Sequence, residues 1–497
     1  METPNISSSS FLWYFIRFLV LVCLILCSLE TCFTLEERDV KSHLGLEYSH
    51  TVQVKSLQPA TTCSPSTEGH DKKASVLKVV HKHGPCSHFY QSHKENAPTH
   101  TEILEQDQAR VNSIHSRRNP KKAIDRRGQR QWDGVTVPAL SGSTVGGGNY
   151  IVTVGLGTPK KQLSLTFDTG SDLTWTQCRP CVRPCYKQVD PIFDPSVSSS
   201  YANVSCKSME CSKLKSGTGN APSCATSTCV YAAAYGDGSI SVGFFAKETI
   251  TLTSTDVFNG FLFGCGEINQ GLFRGSAGLL GLGRDSISFV EQTAAKYGRF
   301  FSYCLPSTSS STGFLSFGKE KSRRASKGVK YTPLATLPQK EYSSLYGINL
   351  VGITVGGRKL PISTSVFKTS GTIIDSGTVI TRLPPQAYSA LRHAFQQGMK
   401  SYPRAPAFSI LDTCYDFSSY GTVNIPKIAI SFMGGLTLDL DGTGIIYPVT
   451  ASQACLAFSA NKNDSDIAVF GNVQQMKLEV VYDVAKGKLG FASGGCL

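Results

Sequence analysis

The chain has 497 residues, 40% apolar and 17% charged, which suits two packed lobes with a segment left over and excludes a largely disordered polypeptide. Its 46 glycines and 23 prolines call for many turns and short strands, which argues against a helical bundle. The formal net charge of +13 fits either a basic soluble enzyme or a binder of anionic polymers. Of the 10 histidines only His393 lies beyond residue 120, so a chain stripped of its N-terminal part keeps one. That leaves no His-rich metal site and little scope for Ser-His or Cys-His catalysis, and turns attention to carboxylates. No cofactor or metal is called for.

In chain order, residues 11–27 are apolar except for Arg17, with a clean run of ten from Phe18. That length suits a signal peptide over 1–32 and falls short of the roughly 20 residues that a spanning helix needs. Residues 33–134 are polar and His-rich, with Arg117, Arg118, Lys121, Lys122, Arg126, Arg127 and Arg130 near the end. They read as a propeptide whose basic face covers an acidic site until cleavage. Within it, Ile103, Leu104, Val111 and Ile114 have helical spacing over 101–114. The mature chain is expected to begin between Gln131 and Tyr150.

From Tyr150 the texture becomes β-like. Short apolar runs at 163–167, 249–252, 258–263, 347–355, 372–374, 436–440, 468–470 and 478–482 predict strands, and 286–296 and 385–399 predict helices. Residues 306–312 and 322–328 read as loops. The class is mainly β, divided into lobes over 135–340 and 341–497.

Two of these strands end alike, in Asp168-Thr169-Gly170-Ser171 and in Asp375-Ser376-Gly377-Thr378. One such tripeptide is a weak signal; two, each behind an apolar strand and before a hydroxyl residue, form an internal repeat. A carboxylate in a tight glycine turn can face its twin, and two carboxylates about 3 Å apart share one proton. The charged member can take a proton from water while the protonated member donates to a carbonyl oxygen. The hydroxyls of Ser171 and Thr378 can bond the outer carboxylate oxygens, and those of Thr169 and Ser376 can brace the two turns.

These motifs resemble the pepsin-like aspartic proteases, whose bilobal fold places an active-site cleft between two pseudo-twofold-related lobes. The resemblance extends over about 150–497. It assigns Trp175 as flap partner and Tyr235-Gly236-Asp237-Gly238 as the flap with its tyrosine. It also makes Gly278-Leu-Leu-Gly281-Leu-Gly283 and Ala468-Val-Phe-Gly471-Asn472 the elements that close the two aspartate loops. Cys178, Cys181 and Cys185, together with the insertion carrying Cys206, Cys211, Cys224 and Cys229, are similar to the plant nepenthesin-like branch. That branch includes secreted enzymes and the chloroplast nucleoid DNA-binding protease group. The resemblance implies an aspartic endopeptidase made as a secreted zymogen, with Asp168 and Asp375 catalytic, acting at acid pH on proteins or peptides. It implies disulfides Cys178–Cys181, Cys185–Cys265, Cys206–Cys229, Cys211–Cys224, Cys304–Cys496 and Cys414–Cys455. Twelve mature cysteines are an even set that suits an oxidising compartment and argues against zinc at Cys178 and Cys181. Asn203 and Asn463 head glycosylation sequons. The chain is expected to be a monomer without a membrane anchor or nucleic-acid partner, secreted rather than vacuolar or plastid. The competing readings are a plastid DNA-binding protease and a non-catalytic binding or inhibitor protein on the same fold.

Overall fold

A computed structural model describes residues 48–58, 60–65, 75–90, 98–117, the backbone of 131–132 and 135–136, and 150–493 except 236–238, 272, 274, 307, 320–327 and 370. The expected signal segment 1–32, the basic run 118–130 and most of 131–149 lie outside the described residues, as do the flap tip Gly236, Asp237 and Gly238, the loop 322–327 and Cys496. The chain divides into Met1–His50, of which only 48–50 are described, and Thr51–Leu497, which holds every element below.

The elements that matter here begin with β1 (Val76–His81) and α1 (His100–Ser116). There follow β2 (Tyr150–Leu156), β3 (Lys161–Asp168), β4 (Trp175–Gln177), β5 (Thr228–Ala234), β6 (Ile240–Thr253), β7 (Asp256–Gln270), β8 (Gly278–Gly281), β9 (Phe300–Cys304) and β10 (Thr312–Phe317). The last third adds β11 (Tyr346–Ile348), β12 (Thr372–Ile374), β13 (Thr381–Leu383), α2 (Pro385–Gly398), β14 (Phe458–Ala460), β15 (Ala468–Phe470), β16 (Leu478–Asp483) and β17 (Lys488–Ser493). The mainly β, bilobal expectation holds.

One 15-stranded sheet runs β17-β16-β9-β10-β1-β2-β3-β8-β4-β7-β6-β5 through its middle, so strands from the end of the chain extend the sheet of the first lobe. In β3, Leu163, Leu165 and Phe167 alternate into the main core while Ser164 and Thr166 face the other way, the period of two of a strand. The second lobe carries a five-stranded sheet ordered β11-β12-β15-β13-β14. The two lobes repeat one motif. β8 runs parallel to β3, with Gly281 opposite Asp168, and antiparallel to β4. β15 runs parallel to β12, with Phe470 opposite Ile374, and antiparallel to β13. A side chain on Gly278 would meet the Trp175 carbonyl at 2.0 Å, which is why glycine opens β8.

α2 is one amphipathic helix, opened by Pro385 and burying Ala387, Tyr388, Leu391 and Phe395. The stretch expected as a helix over 286–296 is instead two short turns, Phe289–Gln292 and Ala294–Tyr297. They break at Thr293, whose backbone leaves the helical region and whose hydroxyl bonds back to the Phe289 carbonyl.

Four of the expected disulfides are corrected. Cys178 follows β4 and donates its N–H to the Gly266 carbonyl on parallel β7, so its partner is Cys265 (Cα–Cα 5.3 Å). Cys181 and Cys185 then close a tight loop with each other. In the insertion, Cys211 and Cys229 are both fully buried and pair in the core, leaving the more exposed Cys206 and Cys224 to each other. Cys414–Cys455 forms as expected, across facing positions of two antiparallel strands. Cys304 is disulfide-bonded. A further bridge, Cys63–Cys86, lies within the segment ahead of β2. Asn203 and Asn463 are both exposed.

The segment expected as a propeptide is built into this fold. β1 fills the sheet between β10 and β2, burying Leu77 and Val79. Truncating that contact by Val79→Ala should lower the stability of the full chain by about 2 kcal/mol in urea unfolding. A value within error of zero would mean that β1 is not part of the cooperative unit.

Candidate active site

β3 and β12 end at the two aspartates. The Asp168 carbonyl accepts from the N–H of Leu282 beyond β8, and the Asp375 N–H donates to the Phe470 carbonyl of β15. The two loops then lock together. Thr169 N–H donates to Ser376 Oγ at 3.1 Å, and Ser376 N–H donates to Thr169 Oγ1 at 2.9 Å. The brace expected of Thr169 and Ser376 is therefore present. Gly170 and Gly377 donate their N–H groups to Oδ1 of Asp168 and Asp375, at 3.0 and 3.1 Å. Thr378 Oγ1 donates to Asp375 Oδ2 at 2.5 Å. Its expected counterpart Ser171 is buried beside Asp168, but its hydroxyl meets no hydrogen-bond partner among the described residues. Below the second loop, Asn472 Nδ2 donates to the Ser376 carbonyl and Gln475 Nε2 to the carbonyls of Asp375 and Phe470.

The flap expectation places Tyr235 beside Trp175, and the structure joins them: Trp175 Nε1 donates to the Tyr235 hydroxyl at 2.6 Å. Tyr235 sits where β5 turns toward β6, its N–H bonded to the Ser239 carbonyl, and both aromatic rings pack edge-on against Phe273.

Both carboxylates are buried, and the space between them is filled by Arg110 of α1. Its Nε and Nη2 fork onto Asp375, each at 2.8 Å, and Nη2 reaches Asp168 Oδ1 at 2.6 Å with Nη1 at 3.4 Å from Oδ2. A Cβ on Gly377 would lie 2.3 Å from the Arg110 guanidinium carbon, and one on Gly170 2.6 Å from Nη2. Glycine at both loops is what admits the cation. Burial raises the Asp168 pKa and the Asp375 charge adds to it, with Arg110 opposing. At Asp375 burial also pushes upward, but the Arg110 charge and the bonds from Arg110, Thr378 and Gly377 outweigh it and hold the carboxyl below its usual range. Arg110 stays protonated, the two carboxylates overcoming its burial.

Sequence reasoning expected the basic run around 117–130 to do the covering. Of that run only Arg117 is described, and it reaches the Gly170 carbonyl at 3.3 Å. The covering cation is Arg110. Its signal was available: Leu104, Asp107, Arg110 and Ile114 form one face of α1, whose start is fixed by a capping box between Thr99 and Glu102. A charge pair inside an otherwise apolar stripe marks a face that buries against charge.

Two mirrored aspartate loops within a bilobal β fold are the pepsin-like arrangement. Family models described as xylanase inhibitor N-terminal and xylanase inhibitor C-terminal match residues 150–319 and 345–493. An aspartyl protease family protein of Arabidopsis thaliana is 57% identical over 450 residues, 90% of this chain and 93% of that one. The aspartyl protease AED1 of the same plant is 49% identical, over 97% and 99% of the two chains. Nepenthesin-2 of Nepenthes gracilis is 38% identical, over 76% and 85%. The crystal structure of conglutin gamma from lupine seeds shares the fold, with a TM-score of 0.56 at 21% identity over 69% of this chain and 91% of that one. The chain therefore belongs to the plant branch of the pepsin-like aspartic proteases, and it is a peptidase.

Breaking a buried ion pair costs about 3 kcal/mol or more, because the remaining charge stays buried. A synthetic peptide spanning 98–117 should thus lose a hundredfold or more in affinity for a chain shortened to begin near residue 135 when it carries Arg110→Ala, measured by fluorescence anisotropy. Unchanged affinity would place the binding energy elsewhere on the helix.

Proposed function

We propose that this chain is the zymogen of a secreted aspartic endopeptidase that cleaves peptide bonds at acid pH, with Asp168 and Asp375 as its catalytic pair. The observation that carries this reading is the pair itself: two buried carboxylates on interlocked loops, bridged by a propeptide guanidinium. With the propeptide gone, carboxylates this close share a proton. One takes a proton from a water held between them as its oxygen attacks the scissile carbonyl carbon. The other donates its proton to the carbonyl oxygen, giving a tetrahedral diol. Return of a proton to the amide nitrogen and rupture of the C–N bond release an acid and an amine. No covalent enzyme intermediate forms.

The two carboxylates differ in their supports. Asp375 accepts from Thr378 and Gly377, whereas Asp168 accepts only the Gly170 N–H from its own loop, so the shared proton favours Asp168. The pair still titrates as a unit. Tyr235, held by Trp175, anchors the base of the flap that closes over an extended substrate.

Secretion is supported by the apolar run at 11–27 and by the disulfides, which suit an oxidising compartment. Exposed Asn203 and Asn463 are then candidate glycan sites. A non-catalytic binder on this fold would have no use for a guanidinium plug over an intact aspartate pair. Cleavage of casein should be inhibited by pepstatin and fall at least a thousandfold in Asp168→Ala. Undiminished cleavage by that variant would sink the reading.

Activation is expected to follow acidification, for two reasons of the same sign. Docking Arg110 expels the proton that the free pair shares, so docking weakens as pH falls. His81, at the end of β1, has its pKa lowered to about 4 by burial and by the neighbouring charges of Lys82 and His100, with Tyr150 packed against its ring. A histidine held neutral in the docked state takes up a proton once released. Its contribution is therefore fully present above its ordinary value near 6.5 and is lost as pH falls toward 4. Processing followed by N-terminal sequencing across pH 7 to 4 should show release shifted to lower pH in His81→Gln. An unchanged pH profile would remove His81 from the trigger.

A further inference from the structure

One turn before Arg110, the same face of α1 presents Asp107, fully buried. Its carboxylate accepts from the backbone N–H of Val379 at 2.6 Å, the N–H of Ile380 at 3.2 Å and Nη2 of Arg382 at 2.9 Å. All three donors come from the segment that directly follows the second aspartate loop. Arg382 is 1% exposed. Its Nη1 donates to the Ile380 carbonyl at 2.7 Å, which fixes the direction of the guanidinium, and Nη2 also reaches Gln108 Oε1 at 3.4 Å. Its Nε is buried and meets no partner among the described residues. Asp107 is the one carboxylate paired with Arg382 among the described residues.

Both acceptors for Nη2 belong to the propeptide. Its removal strips Arg382 of Asp107 and Gln108 together and leaves two backbone N–H groups and a guanidinium converging on one vacated spot. A buried arginine without a counter-ion is costly, and a carboxylate accepting from a guanidinium and two N–H groups is among the stronger polar contacts available. Three residues of α-helix rise about 4.5 Å, and an extended chain advances about 3.3 Å per residue. The spot therefore lies one or two substrate residues from the bond facing the aspartate pair.

We propose that in the mature enzyme Val379 N–H, Ile380 N–H and Arg382 form a specificity subsite for a substrate carboxylate, the place that Asp107 holds in the zymogen. This rests on the peptidase reading and goes beyond it by naming a substrate class: peptides with Asp or Glu close to the cleaved bond. The same chemistry would accept a C-terminal α-carboxylate at that distance.

The test uses the mature enzyme and an uncharged quenched-fluorescent peptide. Single Asp or Glu substitutions at each position near the bond are compared with Asn or Gln at the same position, with amidated C-termini, at about pH 5 where the carboxylates are charged. At one position the acid should exceed its amide in kcat/KM by roughly 10- to 100-fold, and the ratio should collapse toward 1 in Arg382→Gln. An advantage that appears only in a parallel set with free C-termini assigns the subsite to the α-carboxylate. Ratios near 1 in both sets, with the uncharged peptide still cut, overturn the subsite and leave the peptidase reading intact. No cleavage of any peptide or of casein overturns the peptidase reading instead. Where activity is absent or Arg382→Gln fails to fold, binding of a labelled 98–117 peptide decides. Its Asp107→Asn form should bind wild-type mature chain at least tenfold more weakly, and equal binding would overturn the carboxylate cradle.

Discussion

The structure is organised around two carboxylates buried face to face. Taking one ionised carboxylate out of water is costly, and placing a second beside it adds repulsion. The surrounding elements answer that cost. Each loop turns its own glycine N–H onto its aspartate, and the Thr169 and Ser376 hydroxyls tie the loops so that the charges cannot move apart. β8 and β15 hold the strand ends from which the loops leave. The remaining imbalance is met by a guanidinium, which the two glycines alone make room for.

That guanidinium makes the leading segment a structural part of the protein. β1 completes the first lobe's sheet, buried Lys82 donates to the Phe273 carbonyl beside the Trp175–Tyr235 pair, and α1 lays alternating apolar and charged contacts along the cleft. Leu104 packs with Val379, Ile380 and Val473, Asp107 meets Arg382, Arg110 meets the two aspartates, and Ile114 packs with Tyr342, Leu345 and Ile373. α1 thus carries a chemical imprint of the cleft that it covers.

The aspartates and their hydroxyl neighbours were legible because they form a short repeated motif whose chemistry needs fixed residue types at fixed spacing, whereas the closing glycines and Tyr235 were marked only by the family resemblance. Strands such as β12 and β15 were legible as short apolar runs, being buried throughout, and α2 because burial on one face imposes a period on the side chains. The failures have physical causes too. The helix expected over 286–296 has the right pattern but is interrupted where Thr293 bonds its own backbone. The disulfide partners were misassigned because pairing depends on which cysteines a parallel register and a shared core bring within about 6 Å, and spacing does not encode that.

By itself, then, the sequence determined the fold class, the two aspartate loops and the presence of a cationic leading segment, since these follow from local periodicity and composition. Only the tertiary structure decided that Arg110 is the cation on the pair, that Asp107 answers Arg382, and how the cysteines join. The two ion pairs join residues distant in sequence, Arg110 and Asp375 being 265 apart. Such contacts are selected by the packing of whole elements: the pattern along α1 marks a face that buries against charge but does not name the partner.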